Sequence, residues 1–355
     1  MNKLKVFEVL KTKDRISSID VFRFFAITAV VIFHFNKKLP FGFLGVDLFF
    51  VISGLLVSNI LTKEIKNENK INFFKFFIQR GFKIWPSYYF FLLVGNLIAY
   101  IFYRNSNTQE IIPISDLKRY LLFYQNYTGT PFHWSFDHVW SLCVEEHFYI
   151  FLPIFFILLQ KFFIKNQIFW IFTFVLLTIL LGVFFKYYSY YYTNSHDTYS
   201  ATHNRIDSLG WGVLLNLIFN YYKKVKELKL IYFFVSGVLL FVLLIYLNIS
   251  LNNEIFNKIY FHSLVPFAFF LMLLGLYFYD FSNLKFIRFV AYFSYNWYLW
   301  HPIFAIYFTN TFGDSFISLI FYLVFTFIIS IFTTIFVEEK ILKQKSKFIE
   351  KYFKN

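Results

Sequence analysis

The sequence predicts an all-α, polytopic membrane protein with about ten transmembrane helices and both termini cytoplasmic. Three observations predict it. The 355 residues are 58% hydrophobic and 26% aromatic, and only 15% carry a charge, whereas a soluble domain is nearer half apolar and about a quarter charged. Ten segments reach the roughly 20 mainly apolar residues that a helix needs to cross a bilayer. Lys and Arg also fall mostly into alternate connections, the pattern that sets membrane orientation. With the N-terminus inside, the inner segments 1–18, 62–75, 160–167, 221–229, 280–288 and 338–355 hold 23 of the 34 basic residues, and the outer connections, with Lys186 counted among them, hold 7.

Residues 1–18 are polar and mixed in charge and read as a cytoplasmic tail. The apolar segment after them is long enough to span and ends in no small-residue cleavage pattern, so it reads as a retained first helix rather than a signal peptide. The spans 19–37, 43–62, 82–103, 138–159, 168–187, 204–222, 230–249, 259–279, 287–309 and 315–337 make one transmembrane domain, 19–337. "KKLPFG" divides the first two spans and "KEIKNENKINFFK" the next two. The longest connection, about 104–137, is expected outside. It carries Tyr124, Tyr127 and Trp134, which suit an interfacial aromatic belt and a sugar-stacking surface equally well. Residues 338–355 read as a basic cytoplasmic tail. The net charge of +14 follows from this orientation and needs no nucleic acid. The single cysteine, Cys143, excludes an intramolecular disulfide and a Cys-cluster metal site, and suits a helix-packing gap better than a nucleophile.

Ionisable residues at membrane depth are costly, so each is a functional candidate against the plainer reading of an internal ion pair. In "RFFAITAVVIFHF", Arg23 and His34 stand eleven residues apart, about 20° beyond three full turns and about 16 Å along the axis. They share a helix face, with a permanent cation towards the cytoplasm and a titratable imidazole towards the outside. Asp47, in "FLGVDLFFVISGLL", starts the second span across a short hairpin from His34. It suits either an imidazole-orienting carboxylate or a charge favoured by the helix dipole; Ser53 and Gly54 below it permit close packing. "FIQRGFKIWPSYY" puts Arg80 and Lys83 on one face at i, i+3, for a polyanion or for snorkelling at the inner boundary. "DHVWSLCVEEHFYIFLP" sets Glu145 and Glu146 in an apolar run, with Ser141, Glu145 and Tyr149 spaced by four. At least one Glu must face the interior. No second His-bearing motif accompanies them, so a metal is not expected, and His138 and His147 read as interfacial. In "HNRIDSLGWG", Arg205 and Asp207 are two apart and need partners on other helices, while Gly210 and Gly212 allow backbones to approach. "FSYNWYLWHPIF" sets His301 in the ninth span. Acidic and imidazole groups gather towards the outer side, and Arg23, Arg80 and Lys83 towards the inner.

These motifs resemble the integral-membrane acyltransferase 3 family, whose members O-acylate surface sugars. The resemblance covers about residues 15–340. The Arg23–His34 spacing, "GVDLFFVISGLL", "RGFKIWPSYY", "HVWSLCVEEHFYIFLP", "RIDSLGWG" and "FSYNWYLWHP" occur in family order, and "VEEK" is like the closing stretch. Lys83 departs from the pattern, standing where Arg is common, and the family's optional C-terminal hydrolase-like domain has no counterpart in the roughly 18 residues after 337. The resemblance implies a multi-pass protein of the bacterial cytoplasmic membrane and an acyl-CoA co-substrate, acetyl-CoA by family precedent, with no tightly bound cofactor. The acceptor would be a hydroxyl of a surface carbohydrate or glycolipid. It implies His34 as catalytic and Arg23 as essential, and supports Asp47, Glu145 and Arg80 as site residues. Taken with the inner cations and outer acids, this assigns catalysis to His34, Asp47 and Glu145, the donor to Arg23, Arg80 and Lys83, and the acceptor to Trp140, Arg205, Asp207 and His301. The alternative is a transporter or flippase for a glycan or lipid-linked sugar, which ten helices with internal charges would suit, although no inverted repeat is visible.

Overall fold

A computed structural model describes residues 15–68, 70–105, 110–127, 133–162, 167–193, 197–222, 225 and 229–353; most of the expected N-terminal tail lies outside them. Among the described residues every regular element is helical: α1 Ser17–His34, α2 Gly45–Glu68, α3 Phe73–Tyr103, α4 Ile114–Leu121, α5 Trp140–Phe162, α6 Gln167–Tyr192, α7 Ile206–Tyr221, α8 Ile231–Leu251, α9 His262–Leu276, α10 Lys285–Phe312, α11 Phe316–Thr333 and α12 Glu339–Phe353. Short 3-10 turns join some of them, and π-helical turns at Phe256–Phe261 and Thr334–Glu338 precede α9 and α12.

Among the described residues, eight helical stretches are long and apolar enough to cross a membrane, against the ten expected spans. The two exceptions are still helices. The sixth expected span is α7, whose 16 residues reach about 24 Å, short of a hydrocarbon core of about 30 Å. The ninth is α10, which is 28 residues long but spends much of its surface on buried Ser294, Asn296 and His301.

The bilayer as solvent is written into α11. Its buried residues are Ser318, Tyr322, Thr326, Ser330 and Thr333, whereas Phe316, Phe321, Val324, Ile328 and Phe332 are exposed. Polar side chains turn inward because hydrocarbon offers them no hydrogen bond. Thr326 Oγ1 accepts from Trp297 Nε1 at 2.9 Å, and the Tyr322 hydroxyl donates to the Val31 carbonyl at 3.2 Å.

The chain divides into two compact units. The first holds the chain up to Ala26, Leu44–Ile71 and Val144–Arg288; the second holds Ile27–Phe43, Asn72–Cys143 and Phe289 onward. The first unit turns on the packing of α2 against α7. A Cβ on Gly54 would lie 2.1 Å from the Leu209 carbonyl oxygen, and one on Gly212 would lie 2.0 Å from that of Val51. The glycines let the two backbones touch, as expected of both motifs.

In the second unit α3 begins nine residues earlier than the apolar pattern indicated. Asn72 caps it by accepting from the Lys75 amide at 3.0 Å, so Arg80 and Lys83 lie inside the helix rather than at its opening. The connection after α3 is folded back on it. The Tyr88 and Tyr89 hydroxyls donate to the carbonyls of Tyr120 and Leu121 at 2.8 and 3.0 Å, and Asn96 pairs with both backbone groups of Ile112. Glu110 is buried and accepts from the Ser135 amide and hydroxyl at 2.8 and 2.6 Å. Burial pushes its carboxyl above the ordinary carboxylate range, and the Ser135 bonds oppose the shift. Trp134 and Tyr127 remain exposed.

One further expectation is corrected: Lys186, counted with the outer connections, is fully buried within α6. The basic segment after 337 is helical to Phe353, and α12 packs on α3.

Gly54→Ala is expected to destabilise the protein by about 1–3 kcal/mol through overpacking, read as a lower thermal midpoint of the purified protein. An unchanged midpoint would show that α2 and α7 can part at no cost.

Candidate active site

In the second unit the last residue of α1 meets the middle of α10. His301 Nδ1 lies 2.7 Å from the Tyr298 carbonyl oxygen and 3.2 Å from that of Trp297. A carbonyl only accepts, so Nδ1 carries the proton and Nε2 presents a lone pair. That Nε2 lies 3.2 Å from His34 Nδ1, with the two rings edge to face, 4.7 Å between centroids. His34 Nδ1 is also 2.9 Å from the Val30 carbonyl, four residues back along α1. His34 is therefore an Nδ1–H donor with acceptors at Val30 and His301. Its Nε2 makes no hydrogen bond among the described residues, and the ring is partly exposed. The pair is a neutral imidazole with a free basic nitrogen, oriented from behind by a second imidazole.

His138 is the third histidine here and is buried, not interfacial as the sequence suggested. Its ring lies 5.4 Å from that of His301, and Nε2 donates to the Leu299 carbonyl at 3.1 Å. Among the described residues its buried Nδ1 has no partner, and neither has the indole nitrogen of Trp300. The Tyr298 hydroxyl donates to the His138 carbonyl at 2.7 Å and lies 2.7 Å from Ser141 Oγ. This ties the turn before α5 to α10 and uses the Ser141 hydroxyl that the i, i+4 spacing had offered to Glu145. Trp140 opens α5 and is buried.

Lower on α3, Lys83 forms an ion pair with Glu338 of the π-helical turn. The other Glu338 oxygen accepts from Asn296 at 2.7 Å, and the neighbouring Glu339 accepts from the Tyr292 hydroxyl at 2.9 Å. Arg80 and Lys83 are both half-buried. Glu338 of "VEEK" is thus the internal counterpart of Lys83, a pairing that no local spacing reveals.

The first unit holds the remaining candidates. Asp47 pairs with Arg205, and Lys186 with Asp207, all four fully buried or nearly so. Arg205 and Asp207 do take partners from separate helices, as their spacing required. Arg205 is stacked over Tyr199, 4.7 Å from the ring centroid, and lies 5.4 Å from that of Phe50. Arg205 Nε and Nη1 and Asp47 Oδ2 have no partner among the described residues. Glu145 accepts from the Tyr149 hydroxyl at 2.8 Å, the expected i, i+4 pair, and that hydroxyl lies 3.2 Å from Ser53 Oγ. His147 Nδ1 is 2.7 Å from Thr202 Oγ1. Arg23 is half-buried on α1. Among the described residues the imidazole of His34 takes no carboxylate as its hydrogen-bond partner: His301 and the Val30 carbonyl fill that place. Among the described residues no group of three or more His, Cys, Asp or Glu is arranged to hold a metal ion.

A family model described as an acyltransferase domain matches residues 16–336. Among curated proteins, "Putative O-acetyltransferase SACOL0978" of Staphylococcus aureus (strain COL) is 30% identical over 280 residues, 72% of this chain and 44% of that protein. "O-acetyltransferase OatA" of Staphylococcus aureus (strain NCTC 8325 / PS 47) is 26% identical over 237 residues, 63% of this chain and 38% of that protein. The chain thus spans less than half the length of these relatives. No solved structure matches it.

Asp47→Ala should strand the buried Arg205 charge and cost about 3–5 kcal/mol, whereas Asp47→Leu combined with Arg205→Met should recover most of the loss. Thermal unfolding of the two variants checks this; equal losses would mean that the pair contributes no mutual compensation.

Proposed function

The chain belongs to the acyltransferase 3 family, and on that premise we propose that it transfers an acyl group, acetyl in the first instance, from acyl-CoA on the cytosolic side to a hydroxyl of a surface carbohydrate or glycolipid, with His34 as general base. The observation that carries this reading is the tautomer of His34. A base for a hydroxyl needs a lone pair within reach of the substrate and a fixed opposite nitrogen, and Val30 and His301 supply the second condition while leaving Nε2 for the first. The names of the relatives favour acetyl.

In this mechanism Nε2 of His34 takes the acceptor's hydroxyl proton as its oxygen attacks the thioester carbonyl. The carbon–sulfur bond breaks, the CoA thiolate leaves, and the proton passes from His34 to the sulfur. The transient imidazolium is steadied by the two acceptors at Nδ1. General-base assistance of this kind is worth about 10²–10⁴-fold. Arg80 and Lys83 are assigned to the donor's anionic end, and so is Arg23, which α1 carries three turns before His34. Asp47, Asp207 and Glu145 act through the groups they hold, Arg205, Lys186 and Tyr149, and so position their helices. His301, first assigned to the acceptor, orients the base instead. Trp140 stays with the acceptor.

His34→Ala should lower acetyl transfer from radiolabelled acetyl-CoA by at least about 10²-fold while leaving membrane insertion intact. His301→Gln, which keeps a side-chain acceptor, should retain more kcat than His301→Ala at similar KM. Transfer that survives His34→Ala would remove His34 as the base. Glycan moved across vesicles by the wild type without acylation would favour the transporter.

A further inference from the structure

His301 is followed by a proline, and that proline lies inside α10. In an α-helix each carbonyl accepts from the amide four residues on, so the Tyr298 carbonyl would ordinarily take the N–H of residue 302. Proline has no N–H, and its ring presses on the carbonyl four residues back. Here that carbonyl accepts from a side chain instead: its oxygen lies 2.7 Å from His301 Nδ1. The second contact of Nδ1, to the Trp297 carbonyl, is longer at 3.2 Å, and that carbonyl is also the ordinary helical acceptor for the His301 amide. The turn is held from the side as well. The Tyr298 hydroxyl donates to the His138 carbonyl at 2.7 Å, and His138 Nε2 donates to the Leu299 carbonyl at 3.1 Å. A carbonyl deprived of its amide is thus kept where the imidazole can use it.

We infer that Pro302 is a positioning residue for the proposed base: by withholding an amide from the Tyr298 carbonyl, it reserves that carbonyl for His301 Nδ1–H and fixes the tautomer that presents a lone pair to His34. The consequence runs along one row of hydrogen bonds. With Nδ1 protonated, His301 Nε2 accepts from His34 Nδ1 at 3.2 Å, and His34 keeps the lone pair on its own Nε2. The opposite tautomer of His301 would set one N–H against another. His34 would then lose its partner or turn over to the form protonated at Nε2, which has no lone pair for a hydroxyl. An N–H at position 302 would draw the Tyr298 carbonyl back into the helical ladder. His301 Nδ1 would be left with the more distant carbonyl of Trp297. The inference rests on the reading of His34 as base for its effect on rate, but not for its effect on the His301 proton.

The test uses the full chain in nanodiscs, isotope-labelled at the histidine nitrogens. It compares wild type, Pro302→Ala and a chain with lactic acid incorporated in place of Pro302. Lactic acid makes a backbone ester there, which like proline has no N–H but has no ring. In nitrogen NMR spectra, the His301 signals are assigned by their loss in His301→Gln. Wild type and the lactate chain should show His301 protonated at Nδ1, and Pro302→Ala should add a His301 species protonated at Nε2. In transfer from radiolabelled acetyl-CoA, kcat of Pro302→Ala should fall about tenfold with KM within about twofold, part of the roughly 10²–10⁴-fold that a general base supplies. The lactate chain should recover most of that loss. A Pro302→Ala chain whose His301 stays wholly protonated at Nδ1 overturns the inference and leaves His34 standing as the base. A lactate chain that shows the Nε2-protonated species also overturns it, because the ring and not the missing amide would then matter. Should the alanine chain fail to insert, the lactate chain decides alone, by the nitrogen that carries its His301 proton. A tautomer shift alongside transfer that survives His34→Ala keeps the hold of Pro302 on His301 and removes the base reading instead.

Discussion

A charge placed in hydrocarbon has to find its counter-charge inside the protein, because the surroundings can offer neither water nor a hydrogen bond. That constraint organises each unit of this chain. In the first, two anions and two cations on α2, α6 and α7 resolve into Asp47–Arg205 and Lys186–Asp207. In the second, Lys83 reaches Glu338, and the polar stripe of α11 turns inward to meet the hydroxyl and indole groups of its neighbours. The close approach at Gly54 and Gly212 holds α2 against α7 in the same unit.

The histidines follow a different logic. A neutral imidazole can be buried without a counter-ion, provided that each nitrogen meets a group of the right polarity. The carbonyls of Tyr298 and Val30 set the two tautomers, and the direction of the hydrogen bond between His34 and His301 follows. A carboxylate behind His34 would have strengthened the base further, but it would also have brought a second charge to membrane depth. A neutral imidazole orients the ring without that cost.

Much of this architecture was legible in the sequence. Hydropathy located the helices, and the two-residue separation of Arg205 and Asp207 required partners on other helices, which the structure supplies. Glycine in "VISGLL" and "LGWG" marked two close-packing positions, which the structure brings together as the contact of α2 with α7, and the i, i+4 spacing of Glu145 and Tyr149 gave a hydrogen bond. What stayed hidden is long-range or masked by composition. His34 and His301 are 267 residues apart, and no periodicity links them. Lys186 sits among tyrosines and phenylalanines that looked like a span's frayed end, so a buried cation passed for an interfacial one. The start of α3 was missed because Asn72 begins the helix in a charged stretch where hydropathy is silent. His138 read as interfacial because it adjoins the aromatic connection, although its ring is enclosed by α3 and α10.

The wide turn at Thr334–Glu338 has a consequence for how this protein tolerates change in length. A π-helical turn holds one residue more than the α-helix around it, so it works as a spacer between two helical phases. Upstream, α11 aims its hydroxyls at the interior; downstream, α12 sets Phe348 against Phe82 of α3. Removing a single residue between 334 and 338 would close the wide turn to an ordinary α-helical one that still completes about one full turn, so the helix after it would keep close to its present phase. The same deletion within α12, before Phe348, would instead swing that ring away from α3 by about 100°. The wide turn is the place in this segment where chain length can change with least effect on what the helix presents.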